Sequence, residues 1–458
     1  MFRSGQRVIA PPGLHHFRAG DGLEGCRMHL RVEGDGSGIL LFEASRVLHL
    51  NRTATDMAYL ILSGLGTDSV VRRLRRAYRG VSKAGLIADL SSVREAIECI
   101  STDRAVCPVT YLGLDRIEPF STPVTAPYRA DLALTYRCNV ACAHCYNPKS
   151  RAGTKELSLE EWRQAMRKLW GAGVPHVAFT GGEPTLRDDL PDLVGSAEAI
   201  GMVTGLLSNG VRLADAGLVG RLADEGLDYV QITLESADPG VHDSMVGASA
   251  HEKTVTGLRN CIGRGLYCVT NTTITRQNAG TLESTLDLIA GLGLRSAAFN
   301  SIIHSGRAVS GSGGADRFEL PIEELSLVLR ALHEKADDLG LRLIWYTPTR
   351  YCELDPVELE LGPKRCTAGL YNICVEPDGE VLPCQSYYES AGNILREGWE
   401  AIYGSPLMRG IRERTWIEEE CRSCDRLDLC GGGCPLSLKD RPGSGLPLRC
   451  ADSMSNPS

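Results

Sequence analysis

Three cysteines close together constrain this chain more than any other feature of its sequence. Cys138, Cys142 and Cys145 have the spacing C-x3-C-x2-C and follow a largely apolar run at 132–136. Iron–sulfur clusters are usually held by four thiolates, so three cysteines leave one iron without a protein ligand. An open coordination position is typical of metal sites that perform chemistry. The triplet predicts a catalytic iron–sulfur cluster, with a zinc knuckle or three buried thiols as alternatives.

Length and charge exclude several classes of protein. The 458 residues are enough for two to four domains. A net charge of −8 argues against general nucleic-acid binding, which needs clustered Lys and Arg. No apolar run approaches the roughly 20 residues of a membrane span, and residues 1–7 lack a signal-peptide core. We therefore expect a cytoplasmic protein without nucleic-acid or membrane partners, in which the 17 cysteines mainly serve as metal ligands or small buried side chains rather than disulfides.

The central region, 129–320, alternates between strand-like and helix-like segments. Such alternation predicts parallel strands with crossover helices, here an α/β fold in the form of a partial (β/α)6 barrel. In barrels of this kind the chemistry lies at the carboxyl ends of the strands. The predicted strands are 131–136, 176–180, 203–208, 229–235, 267–275 and 296–302, with helices such as 159–169 and 190–200 between them.

A glycine-rich motif follows the second predicted strand. Gly181 and Gly182 let a ligand approach the backbone, and Glu183 supplies a carboxylate for an ammonium group. With the cysteine triplet, this Gly-Gly-Glu-Pro sequence resembles the radical S-adenosylmethionine (SAM) superfamily. The resemblance implies that the open iron binds SAM, that one electron cleaves SAM to a 5′-deoxyadenosyl radical, and that Gly181, Gly182, Glu183 and Pro184 bind the SAM amino group.

Further SAM contacts are implied by the same resemblance. Ser208 and Asn209 follow the third strand in a turn that is also compatible with an ordinary loop. Glu235 stands where relatives carry a shorter Asp, and would contact the ribose hydroxyls. Asn271 lies on the fifth strand where relatives place a polar contact to SAM. Residues 305–308 resemble a Gly-Arg-Ala turn near the adenosine, although this turn and Asn271 could equally be structural.

Cysteines return near the C-terminus in a second, longer pattern. It resembles the SPASM domain, which binds two auxiliary 4Fe–4S clusters and so implies three clusters in all. The first auxiliary cluster would lack a fourth ligand unless Cys374 or, less favourably, Cys352 supplies it. Structural zinc is the alternative for this region. The resemblance assigns one cluster to Cys366, Cys384 and Cys434, and the other to Cys421, Cys424, Cys430 and Cys450.

The N-terminal segment, 1–110, has three strand-like stretches followed by helices, a winged-helix-like α+β pattern. With the sequence at 49–54 it resembles the PqqD-like domain, which binds the leader of a precursor peptide as an added strand. A generic winged helix acting only as a clamp is the alternative. Arginines on the predicted second helix form either a solvated face or a positive surface that attracts an acidic leader. They are Arg72, Arg73, Arg75, Arg76 and Arg79.

The domain order predicts a function. A leader-binding domain (1–110), a Pro-rich linker (111–128), a radical SAM core (129–320) and a SPASM region (321–458) are expected together in a maturase of ribosomally synthesised peptides. We expect an oxidative side-chain cross-link and an electron donor such as flavodoxin or ferredoxin. Alternatives are sulfatase-maturase-like oxidation, peptide decarboxylation, backbone excision, or a non-catalytic Fe–S scaffold. No catalytic acid or base is identified by the sequence.

Overall fold

A computed structural model describes residues 9–18, 27–42, 46–101, 124–151, 153–310 and 313–439. Cys450 and most of the predicted linker lie outside these ranges. The chain forms two compact units. The first unit comprises 1–129, 167–176 and 201–203, and the second unit comprises the rest. No described helix is long and apolar enough to cross a membrane.

The first unit contains a four-stranded antiparallel sheet in the order β1-β2-β3-β4. The three predicted strands are present as β2, β3 and β4, and β1 is an additional strand that the sequence analysis missed. Strand β4 is the last in the order, so among the described strands it forms a free edge. The strands are β1 (Gly13–Arg18), β2 (Arg27–Val32), β3 (Gly38–Phe42) and β4 (Arg46–Leu50).

Three helices follow the sheet: α1 (Arg52–Leu62), α2 (Thr67–Ala77) and α3 (Lys83–Ser101). Asn51 caps the first helix, and its side chain accepts a hydrogen bond from Ala54 N. Met28, Leu30 and Leu40 of the sheet are buried in one apolar cluster, to which Ala58 of α1 and Ile97 of α3 contribute. The α+β pattern predicted for this segment is therefore confirmed.

The second unit is built on a nine-stranded sheet in the order β11-β10-β9-β8-β7-β6-β5-β12-β13. Neighbouring strands from β7 to β11 pair in parallel, which confirms the α/β class. All six predicted strands are present within two residues of their predicted bounds. They are β5 (Arg129–Thr135), β6 (His176–Gly181), β7 (Val203–Ser208), β8 (Tyr229–Thr233), β9 (Tyr267–Thr273) and β10 (Ser296–Asn300), followed by β11 (Arg342–Trp345), β12 (Asn372–Val375) and β13 (Val381–Leu382).

Helices separate the strands, as crossover connections between parallel strands require. Large apolar side chains such as Trp162 and Leu193 are fully buried on these helices. They are α4 (Leu159–Ala172), α5 (Leu190–Ile200), α6 (Ala216–Asp224), α7 (Pro239–Val246), α8 (His251–Gly263), α9 (Leu282–Gly291) and α10 (Ile322–Asp338). Short helices follow in the cysteine-rich region: α11 (Trp399–Tyr403), α12 (Pro406–Arg412), α13 (Glu419–Arg422), α14 (Leu427–Cys430) and α15 (Pro435–Lys439).

The hairpin β12–β13 extends the barrel sheet beyond its first strand. Strand β12 follows β5 in the sheet order, and Asn372 Nδ2 donates to Asp131 Oδ2 at 3.0 Å between them. Cys374 on β12 is fully buried with Ala133 of β5. The sheet that leads into the cysteine triplet thus also contains the two strands that lie between Cys366 and Cys384 of the second pattern.

Candidate active site

The cysteine triplet occupies the loop after β5 and is held on two sides. Ala141 N donates to Val246 O at 2.8 Å, at the end of α7, and Arg307 N donates to Cys145 O at 2.8 Å. Burial raises the pKa of Cys142, and the charges of Cys145 and Glu235 raise it further. The three cysteines of the triplet interact electrostatically with one another.

The predicted glycine motif lies directly against this loop. Gly181 has a φ of +132°, and a Cβ there would lie 2.2 Å from Thr135 O. A Cβ at Gly182 would lie 2.3 Å from Arg137 O. Gly182 N donates to Thr135 O at 2.6 Å. Only glycine fits these two positions, because the end of β6 packs against the backbone that leads into the triplet.

Glu183 is completely buried, and its carboxylate joins the second and third strand ends. Its Oε1 accepts from Thr185 Oγ1 at 2.5 Å and from Ser208 Oγ at 2.9 Å, and its Oε2 accepts from Asn209 N at 2.8 Å. Burial raises the pKa of Glu183, while these hydrogen bonds lower it. Asn209 Nδ2 also lies 3.9 Å from Cys138 Sγ. The structure therefore brings together the predicted residues Glu183, Ser208 and Asn209 beside the triplet.

Glu235 is also buried, and both of its oxygens have partners within the protein. Oε1 lies 3.0 Å from Nε2 of His144, within the triplet, and Oε2 accepts from Thr273 N at 2.8 Å. The predicted contact to the ribose stays a prediction. The pairing with His144 was not foreseen, because the two residues are 91 positions apart.

Two buried amide oxygens lie on neighbouring strands of the barrel. Oδ1 of Asn271, the predicted SAM contact on β9, has no hydrogen-bond partner among the described residues. The same holds for Oδ1 of Asn300 on β10, within the described part of the chain. Asn300 pairs with Thr273, two residues beyond Asn271 on β9. The sequence analysis missed Asn300, although a polar residue at the end of a predicted strand was a usable signal.

Arg307 places a positive charge beside the triplet. Its guanidinium interacts electrostatically with Cys145, Cys142 and Cys138. The position near the adenosine that was predicted for the turn containing Arg307 stays a prediction. A fixed cation at this position stabilises thiolates and the negative charge of a cluster bound to them.

The first auxiliary set is assembled in the second unit. Cys366, Cys384 and Cys434 pack around one apolar cluster and interact electrostatically with each other. Burial raises the pKa of Cys384 to about 12. Cys374, one candidate for the fourth ligand, is a fully buried residue of β12 that interacts electrostatically with Cys384. These contacts do not make it a ligand.

The second auxiliary set is described except for Cys450. Cys424 N donates to Cys421 O at 3.2 Å, so these two cysteines share one turn near α13. Cys430, at the end of α14, accepts a hydrogen bond from Tyr351 N at 3.4 Å. Cys352, the weaker candidate for the first cluster, follows Tyr351 in the sequence and so lies in the segment that contacts the second set.

The donor chemistry of these sets fits iron–sulfur clusters. In their thiolate form these buried cysteines would repel one another, and a bound cation offsets that cost. Among the described residues, no three His, Cys, Asp or Glu side chains gather closely enough to hold one metal ion. Because each cysteine of a 4Fe–4S cluster binds a different iron, its thiols do not have to be close enough to share one metal ion. Cys138, Cys142 and Cys145 would hold the SAM-binding cluster.

Comparisons with known proteins agree with this arrangement. Residues 132–289 match the model of the radical SAM superfamily, and residues 366–425 match that of an iron-sulfur cluster-binding domain, SPASM. The chain is 31% identical over 314 residues to the PqqA peptide cyclase of Granulibacter bethesdensis, which covers 66% of this chain and 80% of that protein. It is 30% identical over 325 residues to the PqqA peptide cyclase of Rhizobium meliloti, covering 68% and 83%.

Fold and site together define a radical SAM enzyme. The chain belongs to the radical SAM superfamily, in the branch that carries a SPASM domain. Its fold is similar to Streptococcus suis SuiB bound to the precursor peptide SuiA, with a TM-score of 0.66, 17% identity and coverage of 90% of this chain and 95% of that one. It is also similar to anSMEcpe with bound AdoMet, with a TM-score of 0.56, 18% identity and coverage of 71% and 94%. SAM and iron–sulfur clusters are its cofactors.

Proposed function

We propose that this enzyme installs an oxidative side-chain cross-link in a ribosomally synthesised precursor peptide. The observation that carries the proposal is that β4 is an edge strand of the N-terminal sheet, among the strands that the structure describes, in a chain that also belongs to the radical SAM superfamily. Val47 on edge strand β4 exposes 38% of its surface, and Ile87 on α3 exposes 42%. An exposed edge strand with apolar side chains is suited to pairing with an extended peptide.

The relatives support a peptide substrate. PqqA peptide cyclases are similar in sequence, and SuiB with its bound precursor peptide is similar in fold over 90% of this chain. We propose that the first unit is a PqqD-like domain that binds the leader. Tethering the leader would raise the local concentration of the core peptide at the SAM site.

The chemistry follows from the cofactors and from the placement of the residues. When bound, SAM and a reduced cluster held by Cys138, Cys142 and Cys145 would supply a 5′-deoxyadenosyl radical that could remove one hydrogen atom from the peptide. Bond formation to a second side chain releases a proton and one electron. We propose that three 4Fe–4S clusters are present and that an auxiliary cluster accepts this electron. Gly181, Gly182, Glu183, Pro184, Ser208, Asn209, Glu235 and Asn271 would bind and orient SAM, and a flavodoxin or ferredoxin would supply the initiating electron in the cytoplasm.

The test is anaerobic reconstitution with SAM, reductant and the short peptide encoded beside the gene. Deoxyadenosine together with a peptide lighter by two hydrogens supports the proposal, and tandem mass spectrometry locates the linked side chains. Loss of carbon dioxide or of a residue fragment contradicts cross-linking and indicates decarboxylation or excision. A peptide that is unchanged in mass although deoxyadenosine forms also contradicts it.

A further inference from the structure

The loop of the first auxiliary set is hydrogen-bonded to the SAM site through one tyrosine. Tyr388 follows Cys384 by four residues, and between them Tyr387 N donates to Cys384 O at 3.2 Å. The Tyr388 hydroxyl donates to Asn147 Oδ1 at 2.6 Å. Asn147 in turn follows Cys145 by two residues, and its backbone N–H donates to Cys145 Sγ at 3.4 Å.

Asn147 carries this connection to the glycine motif. Its Nδ2 donates to Gly181 O at 2.9 Å. An asparagine amide has one acceptor side and one donor side, and its neighbours decide which way round it lies. Because the Gly181 carbonyl can only accept, the NH₂ group of Asn147 faces it, and Oδ1 faces the Tyr388 hydroxyl, which donates to it.

The tyrosine itself is held in place. Its ring lies beneath the Arg151 guanidinium, 4.6 Å from the ring centroid, and it packs with the buried cluster that includes Cys374. Burial raises the pKa of Tyr388, which keeps the hydroxyl proton available for donation. The hydroxyl also lies 3.3 Å from Tyr146 O.

A second link joins the same loops independently. Ser305 Oγ donates to Ser386 O at 2.9 Å, two residues after Cys384. In the same turn, Arg307 N and Ala308 N donate to Cys145 O at 2.8 and 3.3 Å. A Cβ at Gly306 would lie 1.9 Å from Tyr146 O, so the turn at 305–308 is in close contact with the loop of the cysteine triplet.

We propose that Tyr388 is a positioning residue for SAM: it fixes the amide of Asn147, which fixes the Gly181 peptide, and so makes SAM binding depend on the fold of the first auxiliary loop. The proposal rests on the SAM site of the family and not on the peptide substrate. In this chain, Tyr388 and Asn147 would thus connect the first auxiliary site with the SAM site.

The test is SAM affinity in the absence of peptide, measured by equilibrium dialysis on the fully reconstituted full-length enzyme. Tyr388→Phe keeps the ring and its contact with Arg151 but removes the hydroxyl. We expect a roughly fivefold or greater loss of SAM affinity, the effect of one buried hydrogen bond. The SAM-induced change in the electron paramagnetic resonance spectrum of the reduced enzyme should shift to higher SAM concentration by the same factor.

Tyr403→Phe is the matched control. Tyr403 lies in the same cysteine-rich region, and its hydroxyl hydrogen-bonds to Leu370 O at 3.2 Å, away from Asn147. SAM affinity should be unchanged in this variant. Unchanged SAM affinity in Tyr388→Phe, or an equal loss in both variants, would overturn the proposal. If the unsubstituted enzyme binds SAM but does not modify the peptide, that result contradicts only the proposed function and leaves the role of Tyr388 in SAM binding untouched.

Discussion

The imidazole of His144 and the carboxylate of Glu235 are paired at 3.0 Å, with 9% and 1% of their side-chain surfaces exposed. The pair joins the cysteine loop to the end of β8. A shorter Asp at 235 could not reach both His144 and Thr273 N without moving the backbone. The length of the Glu235 side chain therefore allows it to contact both the cysteine loop and the end of β9.

Substitution of Glu235 tests that use. Glu235→Asp should remove up to about four of the bound iron atoms and lower deoxyadenosine formation severalfold, because the cysteine loop loses its hydrogen bond from His144 to residue 235. Glu235→Gln keeps the length and an acceptor for Thr273 N, so its effect should be smaller. Iron analysis and SAM affinity are measured together. Normal iron with weakened SAM binding in both variants would instead favour the ribose contact.

The iron count tests the assignment of the cysteines. Three clusters predict about 12 iron atoms per chain, and loss of a ligand set should remove about four of them. We expect this loss from Cys434→Ala in the first auxiliary set and from Cys424→Ala in the second. Cys268→Ala, a buried thiol of β9 outside all three sets, is the control and should retain full iron. Full iron in both ligand variants would contradict the assignment.

Edge strand β4 should determine leader affinity. Val47→Asp places a charge on the exposed apolar side chain of the edge, and we expect at least a tenfold loss of leader binding. Leu327→Asp changes a side chain that is 69% exposed on α10 and is the matched control. Fluorescence anisotropy with a labelled leader measures both. Equal affinities for the two variants would be incompatible with docking on β4.

The arginines of α2 provide a test of leader charge. Arg72, Arg73, Arg75 and Arg76 are all exposed, in a protein whose net charge is −8. If they attract an acidic leader, the double variant Arg72→Glu/Arg76→Glu should slow leader association severalfold at low salt, and 0.5 M salt should largely abolish the difference by screening. Stopped-flow association rates measure this. Rates equal to wild type at low salt would leave these residues as a solvated face.

His29 makes the first unit sensitive to acid. Burial lowers the pKa of this histidine to about 4, although its hydrogen bond to Gly201 O opposes the shift. The unfolded chain binds the proton near pH 6.5 and the folded unit does not, so the unfolding free energy falls as the pH drops through this range. Between pH 7.5 and 5 the loss attributable to His29 is about 2 kcal/mol.

His29→Gln isolates this contribution, because glutamine can still donate to Gly201 O but does not titrate. In the wild type, the backbone amides of residues 27–32 should lose protection against hydrogen exchange as the pH falls. After correction for intrinsic exchange rates, this loss should be less steep in the variant. Buried His176 remains in both proteins, so its own titration cancels in the comparison. Parallel pH profiles would contradict the assignment to His29.

Local sequence patterns were sufficient for most of the elements. The six barrel strands are short apolar runs between amphipathic helices, and that periodicity depends only on neighbouring residues. Strand β1, whose sequence includes His15, His16 and Arg18, lacks an apolar alternation and was missed. Its pairing with β2 supplies the stabilisation that its sequence does not indicate.

Long-range contacts within the site could not be predicted in this way. The motifs place Glu183, Ser208 and Asn209 at strand ends, and parallel strands bring those ends together. The pairs His144–Glu235 and Asn147–Tyr388 are separated by 91 and 241 positions and depend on the conformation of loops. No spacing rule connects them, so only a three-dimensional structure could reveal them.

The continuity of β5 with the β12–β13 hairpin has a consequence for truncation of the chain. A protein shortened before residue 372 would leave β5 without the neighbour that now pairs with it, and Ala133 without the cover of Cys374 and Leu382. Strand β5 would then be an exposed edge strand, which is a template for intermolecular pairing. The cysteine-rich region is therefore no detachable accessory, and its removal should yield aggregates instead of a simpler enzyme.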